Sequence, residues 1–308
     1  MEKKILTRVS MLIATFLLAV PLIPVNAVPT GLVSISPSSI NNDFGTSFTS
    51  SVMLSNAANI AGYDIIVSFN PGVFTVNSAS LSGTLLDPAK LGADKVLILR
   101  HQVFPSVGLI RYALVLLGVN TPPQTPNPSA SLLNINFQVN DPSTSTATAS
   151  DYPSQMTLPK AEIVAVDTVN GGPFTLPVTT NSATYMPPAN LGLRNVGCRA
   201  VTDGFNTVAK GFTDGIFCRV VNNGGQSISS VGTFSWRSLG GVTGSATSAP
   251  ITLAPGQAGE DDSSITVANA NDILIVTGTA TRQVAFQDGS VLSIAGPSDN
   301  FKIEVNVP

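Results

Sequence analysis

Apolar and polar residues alternate with a period of two along much of the chain. Between Gly62 and Phe69, Tyr63, Ile65, Val67 and Phe69 fall on one side, while Asp64 and Ser68 fall on the other. Between Leu132 and Val139 the apolar set is Leu133, Ile135, Phe137 and Val139, set against Asn134 and Asn136. Such alternation predicts half-buried strands of antiparallel sheets. Turn signals separate the segments: Asn70-Pro71-Gly72 closes the first, and Asn222-Asn223-Gly224-Gly225 follows the face formed by Ile216, Cys218 and Val220. Phe234 and Trp236 share a further face. Ile273, Ile275 and Thr277 mark another strand, and Phe301, Ile303, Val305 and Val307 alternate with Lys302, Glu304 and Asn306. No helical periodicity intervenes, so the fold class is all-β, with strands packed as sandwiches or a jelly roll.

The first residues follow a different pattern. Lys3, Lys4 and Arg8 precede an apolar run from Val9 to Val25, and Val25-Asn26-Ala27 offers small residues at its end. This order describes a secretory signal peptide over residues 1–27, cleaved after Ala27, with an uncleaved anchor as the alternative. No second apolar stretch of spanning length follows, so the mature chain is expected to be extracellular, secreted or held at a cell surface. Pro187-Pro188-Ala189-Asn190 reads as a short linker. The expected domains are therefore 28–188 and 189–308. Thr121–Pro128, with its four prolines, reads as an exposed loop, and Asp141–Ser154 reads as a polar, mobile segment.

Composition agrees with short strands joined by turns: charged residues are 11%, and the chain holds 26 Gly and 22 Pro. Without residues 1–27, 12 basic residues face 17 acidic ones, and there is no basic block, which disfavours a nucleic-acid partner. No Asn-X-Ser/Thr acceptor site occurs. Cys198 and Cys218 are the only cysteines, and in an exported chain they are expected to form a disulfide. Two buried thiols or one reactive thiol are the alternatives. Trp236 follows both cysteines, so the antibody order Cys–Trp–Cys is absent.

An ordered set of segments resembles a cohesin domain over Gly31–Met186. These are Gly45-Thr46-Ser47-Phe48, Leu54-Ser55-Asn56, Ile60-Ala61-Gly62-Tyr63-Asp64-Ile65 with Phe69-Asn70-Pro71, and Leu81-Ser82-Gly83-Thr84-Leu85-Leu86. Gly108-Leu109-Ile110-Arg111 and Leu133-Asn134-Ile135-Asn136-Phe137 complete the series. The resemblance implies a nine-stranded jelly roll, related in fold to cellulose-binding modules, that docks a dockerin-like protein across one sheet face. Asp64 matches an outward Asp that cohesins use to hold a dockerin helix, and Ser68 lies two residues along the same side. Gly62 stands where cohesins often place Asn, and Asn70 where they usually place Asp. The second half resembles adhesion-type Ig-like repeats through Val220-Val221-Asn222-Asn223-Gly224-Gly225 and Leu253-Ala254-Pro255-Gly256-Gln257.

The remaining chemistry is sparse. His101 is the only His and has no nucleophile motif beside it. A glycosidase needs two facing carboxylates, and the mature chain has only Glu162, Glu260 and Glu304 besides its Asp residues. The cluster Gly259-Glu260-Asp261-Asp262-Ser263-Ser264 lacks the ligand spacing of a calcium loop and reads as a solvated turn. No enzyme activity, cofactor or metal is expected. The functional reading is docking of a protein partner, in an assembly linked to polysaccharide processing. Two alternatives remain: direct polysaccharide binding, with Tyr112 and Tyr152 as the glycan contacts, and a structural surface or adhesion role.

Overall fold

The computed structural model describes residues 30–305 except 118–120, 168, 170, 202–210, 212 and 267–271. The expected signal peptide therefore lies outside the described residues. In chain order the first half contributes β1 (Gly31–Ser36), β2 (Ser39–Ile40), β3 (Ser47–Ser55), β4 (Ile60–Ser68), β5 (Phe74–Ser80) and β6 (Val96–Phe104). It continues with β7 (Leu109–Leu116), β8 (Ser129–Val139), β9 (Ser154–Val166), β10 (Pro173–Leu176), β11 (Val178–Asn181) and β12 (Ala183–Tyr185). One short helix, α1 (Pro88–Leu91), is capped by Asp87, which accepts from the Ala89 amide. No described helix is long and apolar enough to cross a membrane.

These strands form two sheets. One runs β11-β1-β3-β8-β5, and the other runs β2-β12-β9-β4-β7-β6 with β10 added beside β9. The alternation read from the sequence sets their inner faces. Tyr63, Ile65, Val67 and Phe69 are buried along β4 and its end, and Leu133, Ile135, Phe137 and Val139 along β8. Phe48, Phe69, Phe74 and Phe137 meet with ring centroids 5.3–5.8 Å apart, and Tyr185 joins through Phe74 at 5.2 Å. Buried aromatic pairs of this kind add to plain area burial. Tyr63 is buried too, and its hydroxyl donates to the Leu132 carbonyl at 2.5 Å.

The second half contributes β13 (Leu191–Ala200), β14 (Thr213–Asn222), β15 (Ile228–Ser238), β16 (Thr243–Thr247), β17 (Ile251–Leu253), β18 (Ala258–Thr266), β19 (Asp272–Ala285) and β20 (Val291–Val305). A three-stranded sheet β13-β14-β18 faces a five-stranded one, β16-β15-β19-β20 with β17 beside β15. Their shared core holds Ile216, Cys218, Val220, Phe234, Leu274, Val276 and Ile303. Cys198 and Cys218 sit directly opposite each other on β13 and β14 and form the expected disulfide. Asn222 ties the two turn segments of this half together. It accepts from the Gly224 amide, and its Nδ2 donates to the carbonyls of Gln226 and Leu253.

Three expectations change. Residues 259–264 are not a turn but belong to β18, which pairs with β14 along its length. Acidic side chains are compatible with a strand when they alternate outward, as Glu260 and Asp262 do, while Asp261 and Ile265 point inward. The segment 141–154 is tied down rather than loose: Thr148 and Asp151 form a reciprocal cap, and Asn70 donates to Asp151 at 2.8 Å. Around Pro187–Asn190 the chain is packed into the junction between the halves. The Pro188 carbonyl accepts from Arg282, and Asn190 donates to Asp43 at 2.6 Å.

Candidate protein-docking face

The outer side of β9-β4-β7-β6 carries the charged residues of the candidate site. Asp64 is outward on β4, as its position among buried Tyr63 and Ile65 requires. Its strand neighbours are Ala113 on β7 and Glu162 on β9, while Ile66, two residues on, lies opposite both Arg111 and Lys160. Those two cations are therefore diagonal neighbours of Asp64, within reach of long side chains. Arg111 donates through Nε and NH2 to the two Asp64 oxygens at 3.0 and 2.6 Å, a bidentate fork. Lys160 donates to Asp64 at 2.5 Å and pairs with Glu162 at 3.1 Å. The Arg111 hydrogen bond, reinforced by Lys160, holds the Asp64 carboxyl below its ordinary range despite partial burial. The same contacts raise the pKa values of Arg111 and Lys160.

Asp64 is thus not a free acceptor awaiting a partner. It organises two cations that remain about one-third exposed, with Glu162 beside them. Arg111 and Lys160 were not identifiable as site residues from local pattern alone. Ser68 lies on the same side of β4, opposite Leu109 and Thr157, at the far end of the strand from Gly62.

Next to this network lies a hollow of about 470 Å³, lined by Gly62, Asp64, Leu99, Arg100, Arg111, Ala113, Val115, Glu162 and Val164. Gly62 explains itself here. A Cβ at that position would lie 2.7 Å from the Leu114 carbonyl oxygen, so the close approach of β4 and β7 excludes the Asn of the resembled family. Asn70 is also specific to its surroundings. Its Oδ1 accepts from Gly72 while its Nδ2 donates to Asp151, and an Asp there would set two carboxylates against each other.

The two tyrosines named as glycan contacts are corrected. Tyr112 is 1% exposed and Tyr152 is 8% exposed, so neither offers a ring face to a sugar. Tyr112 alternates inward with Ile110 and Leu114 on β7 and donates to the Ala79 carbonyl at 3.1 Å. Tyr152 lies against Phe44 and Phe286 at 6.1 and 5.4 Å. His101 is exposed on β6 with its ring 4.6 Å from that of Tyr112. Among the described residues, no three His, Cys, Asp or Glu side chains converge as a metal site.

No family model and no curated protein match the chain. Its structure is similar to solved cohesin domains. The non-cellulosomal cohesin of the hyperthermophilic archaeon Archaeoglobus fulgidus is 20% identical, over 51% of this chain and 89% of that one, with a TM-score of 0.35. The seventh ScaB type I cohesin of Pseudobacteroides cellulosolvens is 12% identical over 54% and 97%, with a TM-score of 0.39. The third ScaC cohesin of Acetivibrio cellulolyticus, solved in complex with the ScaB dockerin, is 15% identical over 51% and 99%, with a TM-score of 0.38. All three are cohesin domains, and each match covers about half of this chain.

Proposed function

We propose that this chain is a non-catalytic, exported docking protein. Residues 1–27 are removed, residues 28–188 present the docking face, and residues 189–308 form a second sandwich fixed to it. The partner is a protein, dockerin-like in its mode of attachment, within an extracellular or cell-surface assembly linked to polysaccharide processing. The observation that supports this most is the Asp64–Arg111–Lys160–Glu162 cluster beside the hollow on β9-β4-β7-β6. Half-exposed charges next to apolar Leu99, Ala113 and Val115 supply the polar rim and apolar centre of a protein interface. Direct glycan binding is the second reading; with Tyr112 and Tyr152 buried it would have to use other aromatics, such as the exposed Phe104 and Phe174.

The test uses the mature chain, residues 28–308, to capture proteins from culture medium of the source organism, beside a retention assay on insoluble glycans. A protein partner is expected, and Asp64→Ala is expected to weaken it about tenfold, a change of about 1.4 kcal/mol, by releasing Arg111 and Lys160 from their set positions. Thermal unfolding of Asp64→Ala beside wild type separates a lost partner from a weakened fold, since Asp64 is only 18% exposed and holds two cations. Retention on glycans, indifferent to Asp64, with no protein captured, would overturn the reading.

A further inference from the structure

Beyond the hollow the same sheet ends in an open edge. β6 pairs with β7 on one side and with no described strand on the other. Leu97, Ile98 and Leu99 are 43%, 42% and 50% exposed in succession. Ile98 and His101 lie opposite Leu114 and Tyr112, which are buried in the core, yet both are themselves exposed. β6 therefore reaches past the cover of the opposite sheet. A long, exposed apolar edge is normally guarded by charge, proline or shortness, because its open N–H and C=O groups invite another strand. The guards on β6 are a register irregularity at Leu99, between Ile98 and Arg100, and two flanking cations. Lys95 and Arg100 bracket the run Val96–Leu99, both are exposed, and neither forms an ion pair with another described residue.

We infer that β6 takes up an extended segment of a partner protein by strand addition, and that this segment carries a short apolar run bracketed by carboxylates. The charges select this occupant over a second copy of the chain. An antiparallel pair of copies centred on the apolar run brings Lys95 of each copy close to Arg100 of the other, whichever way the irregularity at Leu99 is accommodated. Like charges directly opposite in a ladder are destabilising. A segment with an acidic residue at each end forms two ion pairs instead, while its backbone fills the open hydrogen bonds of β6. The inference rests on the docking reading above and names the edge as a second point of attachment beside the Asp64 cluster.

The probe is an acetylated, amidated hexapeptide, Glu-Val-Thr-Val-Thr-Glu, titrated into residues 28–308 with backbone-amide NMR as readout. Its counterpart with Lys at both ends is the control. The acidic peptide is expected to shift the amides of residues 95–100 and to bind at least about tenfold more tightly than the basic one. The double variant Leu97→Glu/Ile98→Glu, altered only at exposed positions outside the hollow, should lose this response while keeping the wild-type melting curve. Equal binding of both peptides, or no response at β6, would overturn the inference. So would a concentration-dependent dimer of the chain formed through β6. A captured protein partner that is sensitive to Asp64→Ala but not to the β6 double variant would also reject the edge and leave the docking reading standing. Acidic-peptide binding at β6 without any captured protein would reject the docking reading alone.

Discussion

Asp261 shows how far a single residue can depart from its ordinary chemistry. It is fully buried in the second sandwich, with one oxygen accepting from the Ser230 hydroxyl at 2.7 Å and Oδ1 without a hydrogen-bond partner among the described residues. Burial pushes its pKa up from 3.8 to about 6; the Ser230 hydrogen bond works against this and the charge of Asp262 adds to it. The native state therefore holds a proton that the unfolded chain releases near pH 4. The resulting stability is fully present below the unfolded value and is lost as pH rises through the folded one. The shift corresponds to about 3 kcal/mol between pH 4 and 7. Asp64, Asp87 and Asp288, whose pKa values are lowered, contribute the opposite slope at the acid end. Their contribution cancels when wild type is compared with Asp261→Asn. Denaturant unfolding at a series of pH values should show the variant gaining on wild type from pH 4 upward and levelling off near pH 7. Parallel curves would count against a buried, protonated Asp261.

At the scale of the element, what the sequence makes legible is the face of a strand, and what it hides is the register between strands. Tyr63 and Asp64 could be assigned to opposite sides of β4 because alternation is local. Arg111 and Lys160 could not be joined to Asp64, because they lie 47 and 96 residues away and meet it only through the pairing of β4 with β7 and β9. Tyr112 was misread as a glycan contact although the signal was local: its spacing from Ile110 and Leu114 puts it inward. The burial of Tyr152 was not legible, since Phe286, one of its packing partners, comes from the other half of the chain. The acidic run of β18 was obscured for a related reason, its strand character coming from nine pairings with β14 rather than from its own residues. The disulfide shows the same dependence across facing sheets. A Cβ on Gly278 of β19 would lie 2.7 Å from both sulfur atoms, so that strand is glycine where it crosses the bridge. Gly278→Ala should cost roughly 1–3 kcal/mol in the oxidised protein through overpacking. In a Cys198→Ser/Cys218→Ser background that cost should shrink, because the bonded sulfurs no longer fix the obstruction. Thermal unfolding of the four proteins measures the coupling, and additive effects would show that the bridge and Gly278 do not constrain each other.

For the whole molecule, the junction decides whether the second sandwich is a loose appendage or a fixed part of the first. Val284, Phe286 and Ile294 belong to the core of the first half, not the second. Arg282, on the same strand as the first of these, is 4% exposed and pairs with Asp43 at 2.9 Å. Its NH1 also donates to the Pro188 carbonyl at 2.8 Å, and its guanidinium lies over the Phe44 ring, 5.4 Å from the centroid. Gln226 donates to the Phe44 carbonyl and Ser290 accepts from the Ala149 amide, so polar contacts flank the apolar ones. Under the proposed docking function, a partner at β9-β4-β7-β6 would be held in a set orientation to the second sandwich. Arg282→Met keeps much of the side-chain volume but leaves the part-buried Asp43 without its cation, with only the Asn190 amide and the Phe44 backbone N–H as described donors. Breaking one side of a buried ion pair costs about 3–5 kcal/mol. Because the pair spans both halves, the loss should appear in the unfolding of both. Asp43→Asn together with Arg282→Met should recover a large part of it by removing the stranded charge. A variant whose halves melt separately, with the first half unchanged, would show instead that the junction forms without coupling their stability.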